Sequence, residues 1–149
     1  MKNFRLRWTI EGVPELSRIL MREYRKVTDF SVPLKKASKF ILADVEQNFV
    51  SEGGLVGGWQ PLALSTALGR ARQGFGGEHP ILQRTGSLRR SFKADVSARK
   101  AIVTSVSPYF PYHQSRMPRT KLPRRAMLVL TERTKQNIVQ SFNQFLRFK

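Results

Sequence analysis

The pattern that most limits this fold is a helical periodicity that runs from Val13 to Val50 and then breaks off in glycine. Leu16, Ile19, Leu20, Tyr24 and Val27 fall three or four residues apart, and so do Leu34, Ala37, Phe40, Ile41, Val45 and Phe49. That spacing gathers apolar side chains on one stripe of an α-helix, and the stripe has to be covered. The first stripe predicts a helix from Val13 to about Thr28, with Pro14 and Glu15 suited to its first turn. The second predicts a helix to about Val50, with Ser31 as N-cap and Pro33 just inside. Four glycines then fall between Ser51 and Gly58 and three more between Gln73 and His79. Flexible loops over about 51–58 and 73–80 are therefore expected, flanking a short helix near Ser65 to Arg72.

Strands are expected on either side of this helical half. Phe4, Leu6, Trp8 and Ile10 alternate with polar residues, a period of two that predicts a strand ended by Gly12. Phe92, Ala94 and Val96, then Ile102, Thr104 and Val106, alternate across a turn near Ala98 to Lys100 and predict a hairpin. Four prolines between Ser107 and Arg125 predict a long loop over about 107–125, and the short apolar run Ala126 to Leu130 reads as a strand. Thr131 can cap a last helix with Ile138, Val139, Phe142, Phe145 and Leu146 as its buried stripe and Arg147 and Lys149 near its negative end. The order predicts an α+β fold, a small antiparallel sheet packed against long amphipathic helices, in one domain over 1–149 without internal repeat.

Composition speaks to partners and to excluded chemistry. Twenty-seven Lys and Arg against ten Asp and Glu give a net charge of +17, which repels itself and calls for an anionic partner. With no cysteine there is no disulfide, thiolate nucleophile or zinc-thiolate site. No apolar run approaches the roughly 18 residues of a membrane span, so neither a membrane partner nor a secretion signal is expected. The segment Gly53-Gly54-Leu55-Val56-Gly57-Gly58 fails as a phosphate cradle, because Trp59 and Gln60 follow it where a P-loop needs Lys and Ser or Thr. His79 and His113 each lack a second ligand at helical spacing, no Gly-x-Ser-x-Gly elbow occurs, and Glu46 and Glu52 read as solvated helix-end charges. Neither a cofactor nor enzymatic activity is expected.

The distribution of charge says more than its total. No Asp or Glu occurs from Val96 to Thr131, whereas Arg99, Lys100, Arg116, Arg119, Lys121, Arg124 and Arg125 all do. Interleaved Tyr109, Phe110 and Tyr112 resemble the mixture of stacking and charge found in single-strand binders. Two readings stand for these seven cations: contact with nucleic acid, or a basic arm laid on an acidic neighbouring subunit. Trp59 likewise either plugs the core or anchors a loop to a neighbour. Thr85-Gly86-Ser87-Leu88 reads as a helix start or tight turn, with Thr85 or Ser87 capping and Gly86 supplying permissive backbone angles.

In order and spacing these segments resemble the phage virion morphogenesis family, the tail-completion proteins of Mu-like and contractile-tailed phages. The residues carrying the resemblance are Phe49 and the glycines after it, Trp59, Pro61 and Leu62, Thr66 and Arg70, then Ile81-Leu82, Thr85-Gly86-Ser87-Leu88 and Ser91. It resumes at Tyr109 and His113-Gln114 and closes on Pro123-Arg124-Arg125 before the terminal helix. The chain departs from the family pattern at Arg116, where Gly is common, and at Ala126-Met127, where an aromatic is. The resemblance implies a non-enzymatic subunit of the virion, assembled in the host cytoplasm into a homo-oligomeric ring, with six-fold symmetry one of the counts open to it. The ring would sit at the head-tail junction or the head-proximal end of the tail. Its implied partners are itself, other neck, connector and tail-tube proteins, and genome DNA in the channel; a basic nucleic-acid-binding module is the alternative.

Overall fold

The structure, a computed structural model, describes residues 13–117 and 121–147. The strand expected over Phe4 to Ile10, together with Arg119 and Lys149, lies outside the described residues, and so does the side chain of Leu16. In order, the chain forms helix α1 (Val13–Thr28), helix α2 (Ser31–Val50), helix α3 (Leu64–Arg72), strands β1 (Phe92–Val96) and β2 (Ala101–Ser105), a one-turn helix α4 (Phe110–Gln114) and helix α5 (Glu132–Leu146). This is the α+β arrangement the sequence predicts.

The spine is α2. Its Val45 and Phe49 enter a core cluster with Trp59, Ile81, Leu88 and Met127, against which Leu62, Leu82, Phe92, Phe110 and Leu128 pack. Aromatic rings run through that core edge to face: Phe49 meets Trp59 at 5.3 Å between centroids, and Phe92 meets Phe110 at 5.4 Å. Such pairs add about 0.5–1.5 kcal/mol each beyond the area they bury. Ser31 is not the N-cap of α2 but its first helical residue. Phe30 occupies the cap position, and the Asp29 carboxylate accepts the Ser31 N–H at 2.8 Å. That bond holds the Asp29 carboxyl below the usual carboxylate range.

β1 and β2 pair antiparallel with Phe92 opposite Ser105 and Val96 opposite Ala101. The register turns Ala94 and Val103 toward the protein and leaves Ile102 and Val106 exposed, so the second strand's inward set is one residue out of phase with the expected Ile102, Thr104 and Val106. The hairpin turn reaches the start of α2, where the Phe30 N–H donates to the Ala98 carbonyl at 2.7 Å.

Thr131 caps α5 as expected, accepting the Thr134 N–H at 3.1 Å, while the Asp44 carboxylate on α2 accepts the Thr131 hydroxyl at 3.0 Å. The inward line of α5 is Thr134, Ile138, Ser141, Phe142 and Phe145, with the Phe142 and Phe145 rings tilted against that of Phe30. Val139, expected in that line, lies one residue further round the helix and is 58% exposed. In α1 the expected stripe forms, but Ile19, Leu20, Tyr24 and Val27 face outward, between 48% and 63% exposed.

Two expectations over the C-terminal half are corrected. The 107–125 stretch is not wholly irregular, because Pro111 falls in the first turn of α4, where its missing N–H costs nothing. Ala126 to Leu130 is not a strand. It is an extended segment whose main-chain groups are bonded by side chains from other elements rather than by a neighbouring strand.

Candidate functional site

Two of the residues that carry the family resemblance, Trp59 and Gln114, bond to that extended segment, and Asn48 joins them. The Asn48 amide on α2 donates to the carbonyls of Ala126 at 2.9 Å and Met127 at 3.2 Å, and the Trp59 indole N–H donates to the Ala126 carbonyl at 2.9 Å. From α4, the Gln114 amide donates to the Leu128 carbonyl at 2.8 Å, and its oxygen accepts the N–H groups of Met127 and Leu128. Each partner satisfies groups that a sheet would otherwise have to pair. Trp59, 6% exposed, is therefore both a core plug and a donor.

Arg125 completes the join from the other side. Its Nε donates to the Gln60 carbonyl at 2.8 Å and its Nη2 to the Pro61 carbonyl at 2.9 Å, and burial lowers its pKa from the usual arginine value. At 4% exposure Arg125 is buried within the subunit rather than displayed on the basic surface where it is expected. A planar fork that bridges successive carbonyls explains why the position uses arginine.

The glycine segment is ordered by the same neighbourhood. Gly53, at φ +92°, donates to the Asn48 carbonyl, Trp59 N–H donates to the Glu52 carbonyl, and Leu55 N–H donates to Asn48 Oδ1. Amides spent on these bonds are not available to a phosphate. Glu52 is more than a solvated charge: it accepts the Ile81 N–H at 2.8 Å and touches His79 Nδ1 at 2.5 Å, tying the second glycine loop to the first. Glu46 pairs with Arg89, whose Nε donates at 3.0 Å, and the guanidinium holds the Glu46 carboxyl below the usual range.

Around this join opens a cleft of about 900 Å³. One wall is Gln60 to Ala63 with Thr66 and Arg70 of α3; the other is Leu82, Arg84, Thr85, Ser87 and Leu88; Tyr109, His113 and 121–123 close the third side. Gly86, at φ +70°, makes the turn between Thr85 and Ser87, with the Thr85 carbonyl accepting from Arg90 at 3.0 Å. Ser91, buried just beyond, bonds Ser105 Oγ at 2.6 Å and fixes the turn to β2. Arg70, 6% exposed, donates from Nη2 to the carbonyls of Phe75 and Pro80, and its buried Nε has no acceptor. Arg84 donates to Gln73 at 2.6 Å and lies over the Phe75 ring. Among the described residues no carboxylate lines the cleft.

The predicted basic residues do not share one surface. Arg99 and Lys100 lie at the hairpin turn, beside the start of α2, whereas Lys121 and Arg124 lie by its far end, where Arg124 Nε donates to the Gln114 carbonyl at 3.2 Å. Phe30 and Asn48, which mark those ends, are separated by roughly 27 Å of helix at 1.5 Å per residue. Arg116 is exposed between them in sequence, just after α4. Asn48 is not among the residues singled out from sequence, and Glu52 is singled out there only as a solvated charge. The available signal for Asn48 was a polar residue set inside the apolar stripe that ends at Phe49.

Among the described residues no three His, Asp or Glu gather closely enough to hold a metal ion, and no helix is long and apolar enough to cross a membrane. A model of the phage virion morphogenesis family matches residues 13–147, a span that takes in every element from α1 to α5. Among curated proteins and among solved structures nothing matches the chain.

Proposed function

The chain belongs to the phage virion morphogenesis family, and on that premise we propose that it builds a homo-oligomeric ring at the head-tail junction or the head-proximal end of the tail, completing the tail so that it joins the head. A structural or assembly role in the virion follows from the family; the ring and its position are the further step. The observation that supports self-association is the apolar face of α1. Ile19, Leu20, Met21, Tyr24 and Val27 are each about half exposed or more, a patch of a kind that marks interaction sites. Its non-enzymatic character rests on the same family.

Electron microscopy of particles with mass spectrometry of their proteins tests the reading. The expected result is a ring of this subunit at the neck, and particles lacking its gene should hold unjoined heads and tails. Absence from the virion, with a protein that stays monomeric at every concentration, would overturn it. The nucleic-acid reading draws on the +17 charge and predicts a logarithmic salt slope of roughly 0.9 per phosphate contacted on duplex DNA. The division of its cations between the two ends of α2 favours the assembly reading.

A further inference from the structure

We infer that the cleft between the Gln60–Ala63 wall and the Leu82–Leu88 turn is the docking site for an extended, alternately acidic and apolar segment of a different virion protein. The inference rests on the assembly reading and adds the chemistry of the partner. Leu62, Leu82 and Leu88 are half-buried or buried and give the cleft an apolar floor, while Arg84 and Lys121 are exposed at its edge. Beneath them Arg70 and Arg125 are held by main-chain carbonyls alone. None of these four cations is paired with a carboxylate among the described residues, so the field in the cleft is uncompensated.

An extended peptide suits this chemistry because its side chains alternate every residue, one set turning to an apolar floor and the other to a charged rim. A phosphate backbone offers nothing to the leucines. A second copy of this chain is also a poor occupant, because at +17 it is itself strongly basic and at least five of its ten carboxylates are already engaged: Asp29 with Ser31, Asp44 with Thr131, Glu46 with Arg89, Glu52 with Ile81 and Glu132 with Lys135. The acidic strand must therefore come from elsewhere in the particle.

The test uses the full-length protein, isotope-labelled for NMR, and three probes: a peptide of alternating Glu and Leu, its Lys-Leu counterpart, and oligo-dT. Binding of the Glu-Leu peptide should move the amides of Leu62, Thr66, Thr85 and Leu88, and should weaken roughly tenfold in Arg84→Glu with Lys121→Glu. Arg84→Gln with Lys121→Gln serves if charge reversal impairs folding, with a smaller loss in the same direction. Shifts scattered over the surface, equal binding by the Lys-Leu peptide, unchanged affinity in the variants, or preferential binding of oligo-dT at the same amides would each overturn the inference. A ring seen in particles alongside a cleft that ignores the acidic peptide would sink this inference alone, leaving the assembly reading in place.

Discussion

Replacing Asn48 with alanine should be among the most costly single changes in the protein, and the size of the loss can be worked from its bonds. Asn48 is fully buried, and among the described residues it alone satisfies the Met127 carbonyl and the Leu55 N–H, while sharing the Ala126 carbonyl with the Trp59 indole. Stranding a buried main-chain group costs about 1–3 kcal/mol, so the buried Met127 carbonyl and the part-buried Leu55 N–H together predict a loss of roughly 2–5 kcal/mol. For a chain of this length that lowers Tm by roughly 4–20 °C, at about 2–4 °C per kcal/mol. Urea unfolding followed by circular dichroism measures it directly. Trp59→Phe keeps an aromatic ring but removes the second donor and part of the indole's buried volume, so alone it should cost roughly 2–3 kcal/mol. Combined, the two changes strand the Ala126 carbonyl as well, and the double variant should fall about 1 kcal/mol below the sum of the singles. A loss under about 1 kcal/mol for Asn48→Ala, or strict additivity in the pair, would show that the extended segment is held by something else.

Other outcomes follow from particular sites. A Cβ added at Gly53 would lie 2.4 Å from the Trp59 ring and 2.6 Å from its main-chain nitrogen, so Gly53→Ala should largely abolish folding, whereas Gly57→Ala, also at positive φ but in open space, should lose only about 1–2 kcal/mol; similar melting curves for the two would refute the clash. Because the folded pKa of Glu46 is depressed by Arg89, the pair contributes stability above the ordinary glutamate pKa and loses it as pH falls through the folded value. Carbon-detected NMR titration should show a low Glu46 midpoint that returns to normal in Arg89→Met, and an unchanged midpoint would contradict the pairing. Leu20→Ser with Tyr24→Ser on the exposed face of α1 should shift monomer stability by no more than about 0.5 kcal/mol while reducing self-association in analytical ultracentrifugation; unaltered association would remove that face from the ring contacts.

Much of the helical half was legible because its period is long and its punctuation strong. The bounds of α1 and the C-terminal end of α2 follow from the apolar stripe and the glycines after Val50, and α3 lies within a residue of its expected start. Amphipathicity says that a face needs covering but not what covers it, which is why the stripe of α1 was predicted and its exposure was not. Ala126 to Leu130 misled because a short apolar run looks alike whether its hydrogen bonds go to a strand or to side chains. The partners that decide the matter, Asn48, Trp59 and Gln114, are as far as 79 residues away. Arg125 was grouped with Arg124 for a similar reason: adjacent arginines are indistinguishable until one is seen beneath the Gln60 and Pro61 carbonyls and the other outside. The motif residues are recognised by order and spacing, and only in three dimensions do Pro61, Leu62, Thr66, Arg70, Leu82, Thr85, Leu88 and His113 prove to line one cleft.

The side-chain pins on 125–128 also divide this region into parts that tolerate changes of length and parts that do not. A strand in a sheet can slip by two residues and recover an equivalent ladder, but a segment pinned by an indole, two amides and a guanidinium has only one register. Deleting or inserting one residue between Arg125 and Leu128 would present every pin with the wrong atom. Among the described residues from Ser115 to Arg124 no comparable set of pins occurs, and doubling the length of a loop costs only about 0.6 kcal/mol. Length variants and inserted tags should therefore be accepted before Arg124 and rejected immediately after it.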